Sequence, residues 1–263
     1  MLLLGRVVVH HVGIGKVNRN HRPHPVDAVG PPRGLERRRQ RIDHYLWDQP
    51  TGLYLDYHLT TGQRRPYEFA TTFYPLWAGI ASEHQAQAVV ANLDKFEACG
   101  GLRTSTCTSG NQWDDPFGWA PFQLLAVEGL HRYGYRQRAF KLLRGLFEMV
   151  QTTPRHRLPE QVCGFERQPG LPPVPFYGSC APQASASAVV FGMIELLLGL
   201  TIDMNPPRIR LQQPVLPSYL PDLQIEHLAV GDQRASLSLW RSSDDGCIHV
   251  SGETGHIALV LEE

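Results

Sequence analysis

The sequence has few charged residues and no excess of either sign. Charged side chains make up 19% of its 263 residues, whereas a typical soluble domain has about 25%. The 25 basic and 25 acidic residues cancel to a formal net charge of zero. A protein that holds nucleic acid mainly through charge carries a basic excess. The composition therefore argues against a nucleic-acid partner.

Long hydrophobic runs are absent as well. No segment approaches the ~18 consecutive apolar residues that a membrane-spanning helix needs. The apolar start, residues 1–10, has no basic region ahead of its apolar run and no clear cleavage site, so it does not read as a signal peptide. We therefore expect a cytoplasmic protein with no membrane partner.

Cofactor motifs are missing too. The five cysteines are odd in number and show no C-x-x-C or finger spacing, which favours free thiols over disulfides or a zinc site. No glycine-rich phosphate loop appears, so we expect neither a metal nor an organic cofactor. Four histidines crowd into residues 1–40 without acidic or cysteine partners at ligand spacing (His10, His11, His21 and His24). We expect residues 1–40 to be a poorly ordered leader.

Apolar spacing predicts helices over most of residues 41–203. The expected helical segments are 35–46, 69–80, 82–93, 119–133, 135–150 and 183–200. Ser82 and Gln85 have the spacing of a capping box, which predicts where the third segment begins. The last segment is apolar on nearly every side and should be buried all round.

Beyond residue 204 the apolar period changes from helical to two. Alternating residues such as Leu237 and Leu239, with a turn at Gly231-Asp232, predict a small antiparallel β module over residues 204–263. The expected fold is therefore mainly α, with about six helices in antiparallel pairs followed by this module.

The loop before the fourth helical segment concentrates residues suited to binding a sugar. Asn111, Gln112, Trp113, Asp114 and Trp119 combine indoles, amides and a carboxylate. An indole covers the apolar face of a pyranose, while carboxylates and amides bind its hydroxyl groups. A structural alternative has the tryptophans in the core and an aspartate capping the helix.

Several motifs resemble the trehalases, the α/α-toroid glycoside hydrolases that cleave α,α-trehalose. The resemblance covers about residues 40–150 and rests on Tyr45-Leu46-Trp47-Asp48, Gly52-Leu53-Tyr54-x-Asp56-Tyr57, the run Tyr67–Gly79, and Gln112-Trp113-Asp114-x-Pro116-x-Gly118-Trp119-Ala120-Pro121. It implies a partial (α/α)6 toroid in which Gln112, Trp113 and Asp114 line a glucose pocket.

The chain from about residue 155 to residue 263 resembles the C-terminal part of glycogen-debranching-type amylo-α-1,6-glucosidases. The resemblance rests on Arg157-Leu158-Pro159-Glu160-x-x-Cys163-Gly164-Phe165 and on Pro173-Val174-Pro175-Phe176-Tyr177-x-Ser179-Cys180-Ala181-Pro182-Gln183. Both families imply an inverting reaction with Glu160 as the general base. Tyr177 and Gln183 join Asn111, Gln112, Trp113 and Trp119 as candidate substrate-binding residues.

The general acid has no matching family position in this sequence. Asp114 is the tentative candidate, followed by Asp48, Asp56 and Glu68. Three functions stay open: an inverting trehalase-like hydrolase that releases glucose from trehalose, a non-catalytic toroid remnant or sugar-binding scaffold, and a debranching-type α-1,6-glucosidase. Apolar faces of an incomplete toroid would favour a homodimer.

Overall fold

The computed structural model describes residues 7–10, 33–153, 158–163, 174–242 and 246–262. Contacts within the chain divide it into two compact units. The helical unit is Ala28–Gly192, and the strand-rich unit combines Met1–Asp27 with Met193–Glu263. The expected division into 1–40, 41–203 and 204–263 stays a prediction.

Six α-helices lie in the described ranges. They are α1 (Arg33–Leu46), α2 (Tyr74–Trp77), α3 (Glu83–Ala91), α4 (Ala120–Arg132), α5 (Arg136–Thr152) and α6 (Ala184–Leu198). Short 3₁₀ helices, Ala70–Phe73 and Leu93–Lys95, precede α2 and follow α3. Each segment with helical apolar spacing therefore contains a helix.

The third helix begins where its sequence predicts. The Ser82 hydroxyl accepts a hydrogen bond from the Gln85 backbone N–H at 3.2 Å, and the Gln85 side chain accepts one from the Ser82 N–H at 2.8 Å. These bonds satisfy two donors that a helix leaves open at its start. The capping box is confirmed.

The last helix is less buried than its composition predicts. Phe191 is 42% exposed on α6, whereas Ala186, Met193 and Leu197 are buried. The expectation of burial on every side was therefore wrong. None of the helices in the described part of the chain has the length and apolar character that a bilayer crossing requires.

Strands are more numerous than a mainly α chain would have. They are β1 (Val7–His10), β2 (Trp47–Asp48), β3 (Leu53–Tyr54), β4 (Tyr57–His58), β5 (Gln63–Arg64), β6 (Glu97–Ala98), β7 (Gly101–Leu102), β8 (Phe117–Trp119), β9 (Gln161–Cys163), β10 (Leu200–Met204), β11 (Pro207–Gln212), β12 (Asp222–Val230), β13 (Gln233–Arg241), β14 (Ile248–Glu253) and β15 (Ala258–Glu262). The secondary structure is thus mixed. In the helical unit, strands form the two-stranded pairs β2–β3, β4–β5, β6–β7 and β8–β9.

The strand-rich unit contains two sheets. Their strand orders are β1-β12-β13-β14 and β10-β11-β15. β12, β13 and β14 are antiparallel, and Gly231 makes the predicted turn with a φ of 62°. However, β1 is parallel to β12 and β15 is parallel to β11. The expected antiparallel module is therefore only partly correct, because pairing between strands distant in sequence leaves no local signal.

In the helical unit, α4 packs closely against α2 and α5. Gly134, with a φ of 83°, allows the short turn between α4 and α5. Gly129 lies where α4 meets α2: a Cβ at this position would be 2.9 Å from the Leu76 Cβ and 2.9 Å from the Trp77 backbone nitrogen. Only a residue without a side chain fits this contact.

We predict that Gly129→Ala lowers the free energy of unfolding by about 1–3 kcal/mol, because the added methyl group overpacks the contact between α4 and α2. Gly34→Ala is the control: this helical glycine has nothing within 4 Å of its Cβ position. There, alanine should be neutral or stabilising by up to about 1 kcal/mol. Urea unfolding measures both changes, and equal effects would contradict the prediction.

Candidate functional site

The loop between β7 and α4 is organised around the carboxylate of Asp114, which is 1% exposed. This side chain accepts hydrogen bonds from the Ser105 hydroxyl and, at 2.6 Å, from the Ser109 backbone N–H. The Tyr67 hydroxyl lies 3.5 Å from its Oδ1 and donates to the Trp113 carbonyl at 3.2 Å. The buried carboxylate thus ties together three parts of the loop region.

These contacts determine the charge of Asp114. Burial by itself raises the pKa of a carboxyl group, but the hydrogen bonds from Ser105 and Ser109 outweigh it and hold the pKa of Asp114 below its usual value. Asp114 is therefore ionised at neutral pH. A general acid must carry a proton, so this environment argues against the tentative acid role and favours a structural one.

The neighbouring Asp115 is also buried and hydrogen-bonded. It is 7% exposed, forms an ion pair with Arg103 at 3.0 Å and accepts a hydrogen bond from the Thr108 hydroxyl at 3.0 Å. Ser105, Thr108 and Ser109 therefore supply hydrogen-bond donors to the two aspartates. The sequence carries no local signal of these hydrogen bonds to the carboxyl groups.

The two tryptophans of the loop belong to one aromatic cluster centred on Phe122. The rings of Trp113 and Trp119 meet edge to face with centroids 5.5 Å apart, and both contact Phe122 at 6.4 Å and 4.9 Å. Tyr74, in α2, and Phe69, which precedes the 3₁₀ helix before α2, also contact Phe122. Trp113 remains 36% exposed. The cluster therefore fixes an indole that also faces solvent.

Glu160 directly precedes β9, which pairs with β8. In this antiparallel pair Trp119 is opposite Gln161, the residue after Glu160. The Trp119 Nε1 donates to the Gln183 side chain at 2.8 Å. The Glu160 backbone N–H donates to the Cys180 carbonyl at 2.9 Å, and the Cys180 thiol lies 3.8 Å from a carboxylate oxygen of Glu160. The Glu160 side chain is half-buried.

An open cleft of about 510 Å³ lies on the exposed side of Trp113. Its lining residues are Asp56, Arg65, Tyr67, Ser109, Asn111, Gln112 and Trp113. The lining combines one indole, two amides, two hydroxyl groups and two opposite charges. This volume falls within the range of about 300–1,000 Å³ that is typical of small-molecule sites.

The candidate residues fall into three groups. Asn111, Gln112 and Trp113 line the cleft. Trp119 is hydrogen-bonded to Gln183 and lies opposite Gln161, the residue after Glu160, and Glu160 is not among the residues that line the cleft. Tyr177 belongs to neither group: it is 96% exposed and makes no hydrogen bond or ring contact within the described residues.

Some expectations concern residues outside the described ranges. These include the histidine-rich leader, apart from the backbone of His10, and the basic residues that precede Glu160 (Arg155, His156 and Arg157). Within the described ranges, no three histidine, cysteine or acidic residues converge as a metal site would require.

Sequence reasoning missed part of the cleft. The sequence assigns no binding role to Arg65, Tyr67 or Ser109, and it indicates Asp56 only as a reserve candidate for the general acid. Glu68, another reserve candidate for the acid, forms an ion pair with Lys95 at 2.6 Å. The motif Gly52-Leu53-Tyr54-x-Asp56-Tyr57 was the available signal for Asp56.

Most of the helical unit is similar in sequence to known proteins. A sequence model of the trehalase family matches residues 33–160. The cytosolic neutral trehalase of Kluyveromyces lactis is 48% identical over 127 residues, which are 44% of this chain and 17% of that protein. Residues 33–160, the trehalase segment, thus resemble this family in sequence. The cytosolic neutral trehalase of Saccharomyces cerevisiae is 44% identical over 125 residues, or 43% of this chain and 17% of that protein.

Solved structures agree with the trehalase match. The neutral trehalase of Saccharomyces cerevisiae superposes with a TM-score of 0.50 and 33% identity, covering 61% of this chain and 29% of that chain. A mannosylglycerate hydrolase from Thermus thermophilus, solved with glucose, has a TM-score of 0.50 at 19% identity, covering 60% of this chain and 39% of that one. The second match concerns the fold alone. The chain thus spans less than a third of the solved trehalase.

The trehalase segment contains both the cleft and Glu160. Gly118 of the Gln112–Pro121 motif lies close to the backbone of β7, because a Cβ at this position would be 2.4 Å from the Leu102 carbonyl oxygen. A side chain at this position would separate β8 from β7, so the glycine of the motif has a packing reason.

We predict that Asp114→Asn destabilises the trehalase segment at pH 7 by about 1.5–3 kcal/mol, the usual value of a hydrogen bond to a charged group. Because the pKa of Asp114 is lowered by folding, its contribution is present above the unfolded pKa of about 3.9 and is lost as pH falls through the folded value. Urea unfolding from pH 7 to pH 3 should therefore show a shallower acid loss in Asp114→Asn.

The exposed Asp232→Asn is the control for this measurement, because Asp232 lies in the turn between β12 and β13. It should follow the wild-type pH dependence. An Asp114→Asn curve parallel to the wild-type curve would show that the folded pKa is not lowered.

Proposed function

We propose that this chain contributes the glucose-binding and base-bearing part of an inverting glycoside hydrolase that converts α,α-trehalose to glucose. The chain spans only about a sixth of the length of its curated relatives, so the activity of the whole protein is part of the proposal. The pairing of β8 with β9 supports it, since in this pairing Gln161, the residue after Glu160, is opposite Trp119, whose ring contacts Trp113.

In the proposed site, the exposed indole of Trp113 covers the apolar face of a glucose ring, and Gln112 and Asn111 bind its hydroxyl groups. The Trp119–Gln183 hydrogen bond fixes the second indole behind it. Tyr177, because of its exposure, has no part in this proposal.

Glu160 is the proposed general base. In an inverting hydrolysis one carboxylate removes a proton from water as the water attacks the anomeric carbon, while an acid protonates the leaving oxygen. The two carboxyl groups stand about 6.5–9.5 Å apart to admit the water. The lowered pKa of Asp114 argues against it as the acid, so the proposal leaves this role unassigned.

A second function, sugar binding without hydrolysis, is favoured by one observation. The pKa of Asp114 is lowered by its hydrogen bonds, so this residue is not set to donate a proton. A scaffold of this kind would keep the cleft and Trp113 but release no glucose.

The proposal extends to architecture and location. We propose that the helices form part of an (α/α)6 toroid, supported by the superposition on the yeast neutral trehalase. The names of the matched cytosolic trehalases support a cytoplasmic location. Exposed large apolar residues, such as Trp77 at 40% and Phe191 at 42%, are compatible with a homodimer, which stays a prediction.

A substrate panel tests the function. The purified 263-residue chain should release glucose from trehalose and not from isomaltose or a limit dextrin, measured by an enzymatic glucose assay. Release from isomaltose or the dextrin alone would favour the debranching-type α-1,6-glucosidase. Silence on all three substrates would contradict hydrolysis by this chain and support the sugar-binding scaffold.

Glu160→Gln tests the base. Removal of a general base costs about 10²–10⁴-fold in turnover, and the amide keeps the size of the side chain, so binding should change little. Glu253→Gln, at an exposed position in β14, is the matched control and should keep full activity. An active Glu160→Gln enzyme would remove Glu160 from the mechanism.

A further inference from the structure

The cleft contains two side chains of opposite charge, Asp56 and Arg65, that form no ion pair with each other. Asp56 directly precedes β4 and Arg65 directly follows β5, so the two residues lie side by side at the open end of this hairpin. The Arg65 backbone N–H donates to the Asp56 carbonyl at 2.8 Å, which fixes their relative position. Both residues are exposed, and both line the cleft.

Neither side chain has an ion pair or a hydrogen bond among the described residues. Neighbouring charged groups do have partners: Arg64 donates to the His44 carbonyl at 2.7 Å, and Glu68 pairs with Lys95. The carboxylate of Asp56 and the guanidinium of Arg65 therefore keep their hydrogen-bonding capacity for a molecule in the cleft.

The loop wall of the cleft adds neutral groups. The half-buried Gln112 amide makes no hydrogen bond within the part of the chain that the structure describes. The Asn111 amide is partly used, since it donates to the Ser109 hydroxyl at 2.6 Å. Burial raises the pKa of the Tyr67 hydroxyl, so this group stays a protonated donor at neutral pH. Beside the exposed face of Trp113, the Gln112 amide is thus the neutral group that keeps its full hydrogen-bonding capacity, and the Tyr67 hydroxyl already donates to the Trp113 carbonyl.

We propose that Asp56 and Arg65 are specificity-determining residues that restrict this cleft to uncharged sugars. Each sugar hydroxyl can donate to Asp56 and accept from Arg65, so a neutral polyol satisfies both. A charged sugar is attracted by one of these neighbouring side chains and repelled by the other. It therefore gains no net attraction to offset the hydration that its charge loses, and this cost discriminates against the charged ligand.

The inference rests on the proposed function for its choice of glucosides as ligands, but its test needs no turnover. All titrations use the Glu160→Gln variant, so trehalose remains intact. The probes are glucose and trehalose (neutral), glucose 6-phosphate (anionic) and glucosamine (cationic), measured at pH 6.5. Binding is followed by tryptophan fluorescence, with Trp113→Phe to identify the responding indole.

Glucose and trehalose should bind, and the two charged sugars should bind at least about tenfold more weakly. Asp56→Asn should lower the affinity for glucose by about tenfold, the cost of one charge-assisted hydrogen bond. It should also reduce or reverse the difference in affinity between glucose and glucose 6-phosphate. Arg65→Gln should lower the affinity for glucose by a similar factor and should instead reduce the difference in affinity between glucose and glucosamine. This exchange of preference is a result that simple loss of structure would not produce.

Asp232→Asn and Arg37→Gln repeat the same chemical changes at exposed positions in the β12–β13 turn and in α1. They should leave all four affinities unchanged. Equal binding of neutral and charged sugars, or charge preferences that neither cleft variant alters, would overturn the inference. If the wild-type chain releases no glucose from trehalose while these binding preferences are observed, only the proposed hydrolysis is contradicted.

Discussion

The structure of the candidate site depends on the satisfaction of one buried charge, the carboxylate of Asp114. An ionised carboxyl group away from water is stable only when donors surround it. Ser105, Ser109 and Tyr67 supply those donors from different points of the chain. Because Trp113 directly precedes Asp114, this anchor fixes the backbone from which the exposed indole projects. Removing the charge would therefore affect both the loop and the cleft.

The parts of the fold that follow local rules could be predicted from the sequence. The start of α3 depends on two side chains three residues apart, and the helical segments depend on apolar spacing. The β8–β9 and β11–β15 pairs could not be predicted, because each joins strands that are far apart in the chain. The exposure of Phe191 was missed for a related reason: composition shows that a helix is apolar but not how much of it is covered.

The candidate site shows the same division. Asn111, Gln112 and Trp113 could be predicted because their mixture of amide and indole occurs in one continuous motif. Arg65 and Tyr67 come from a different hairpin and meet the motif only in the folded chain. Tyr177 was chosen by resemblance to a motif, and its 96% exposure shows that motif membership alone does not place a side chain. The role of Asp114 required its hydrogen bonds to be known, because burial and donation shift its pKa in opposite directions.

Charge also explains how an open cleft can be selective without binding tightly. Asp56 and Arg65 are exposed, so water solvates them in the free protein and a sugar must replace that water. The exchange of water for hydroxyl groups yields little net affinity, since both kinds of partner make similar hydrogen bonds. A charged ligand, by contrast, loses hydration and gains no net attraction in return, because one of the two side chains attracts it and the other repels it. Specificity is a difference between two affinities, and in this cleft the difference arises from the cost imposed on the wrong ligand.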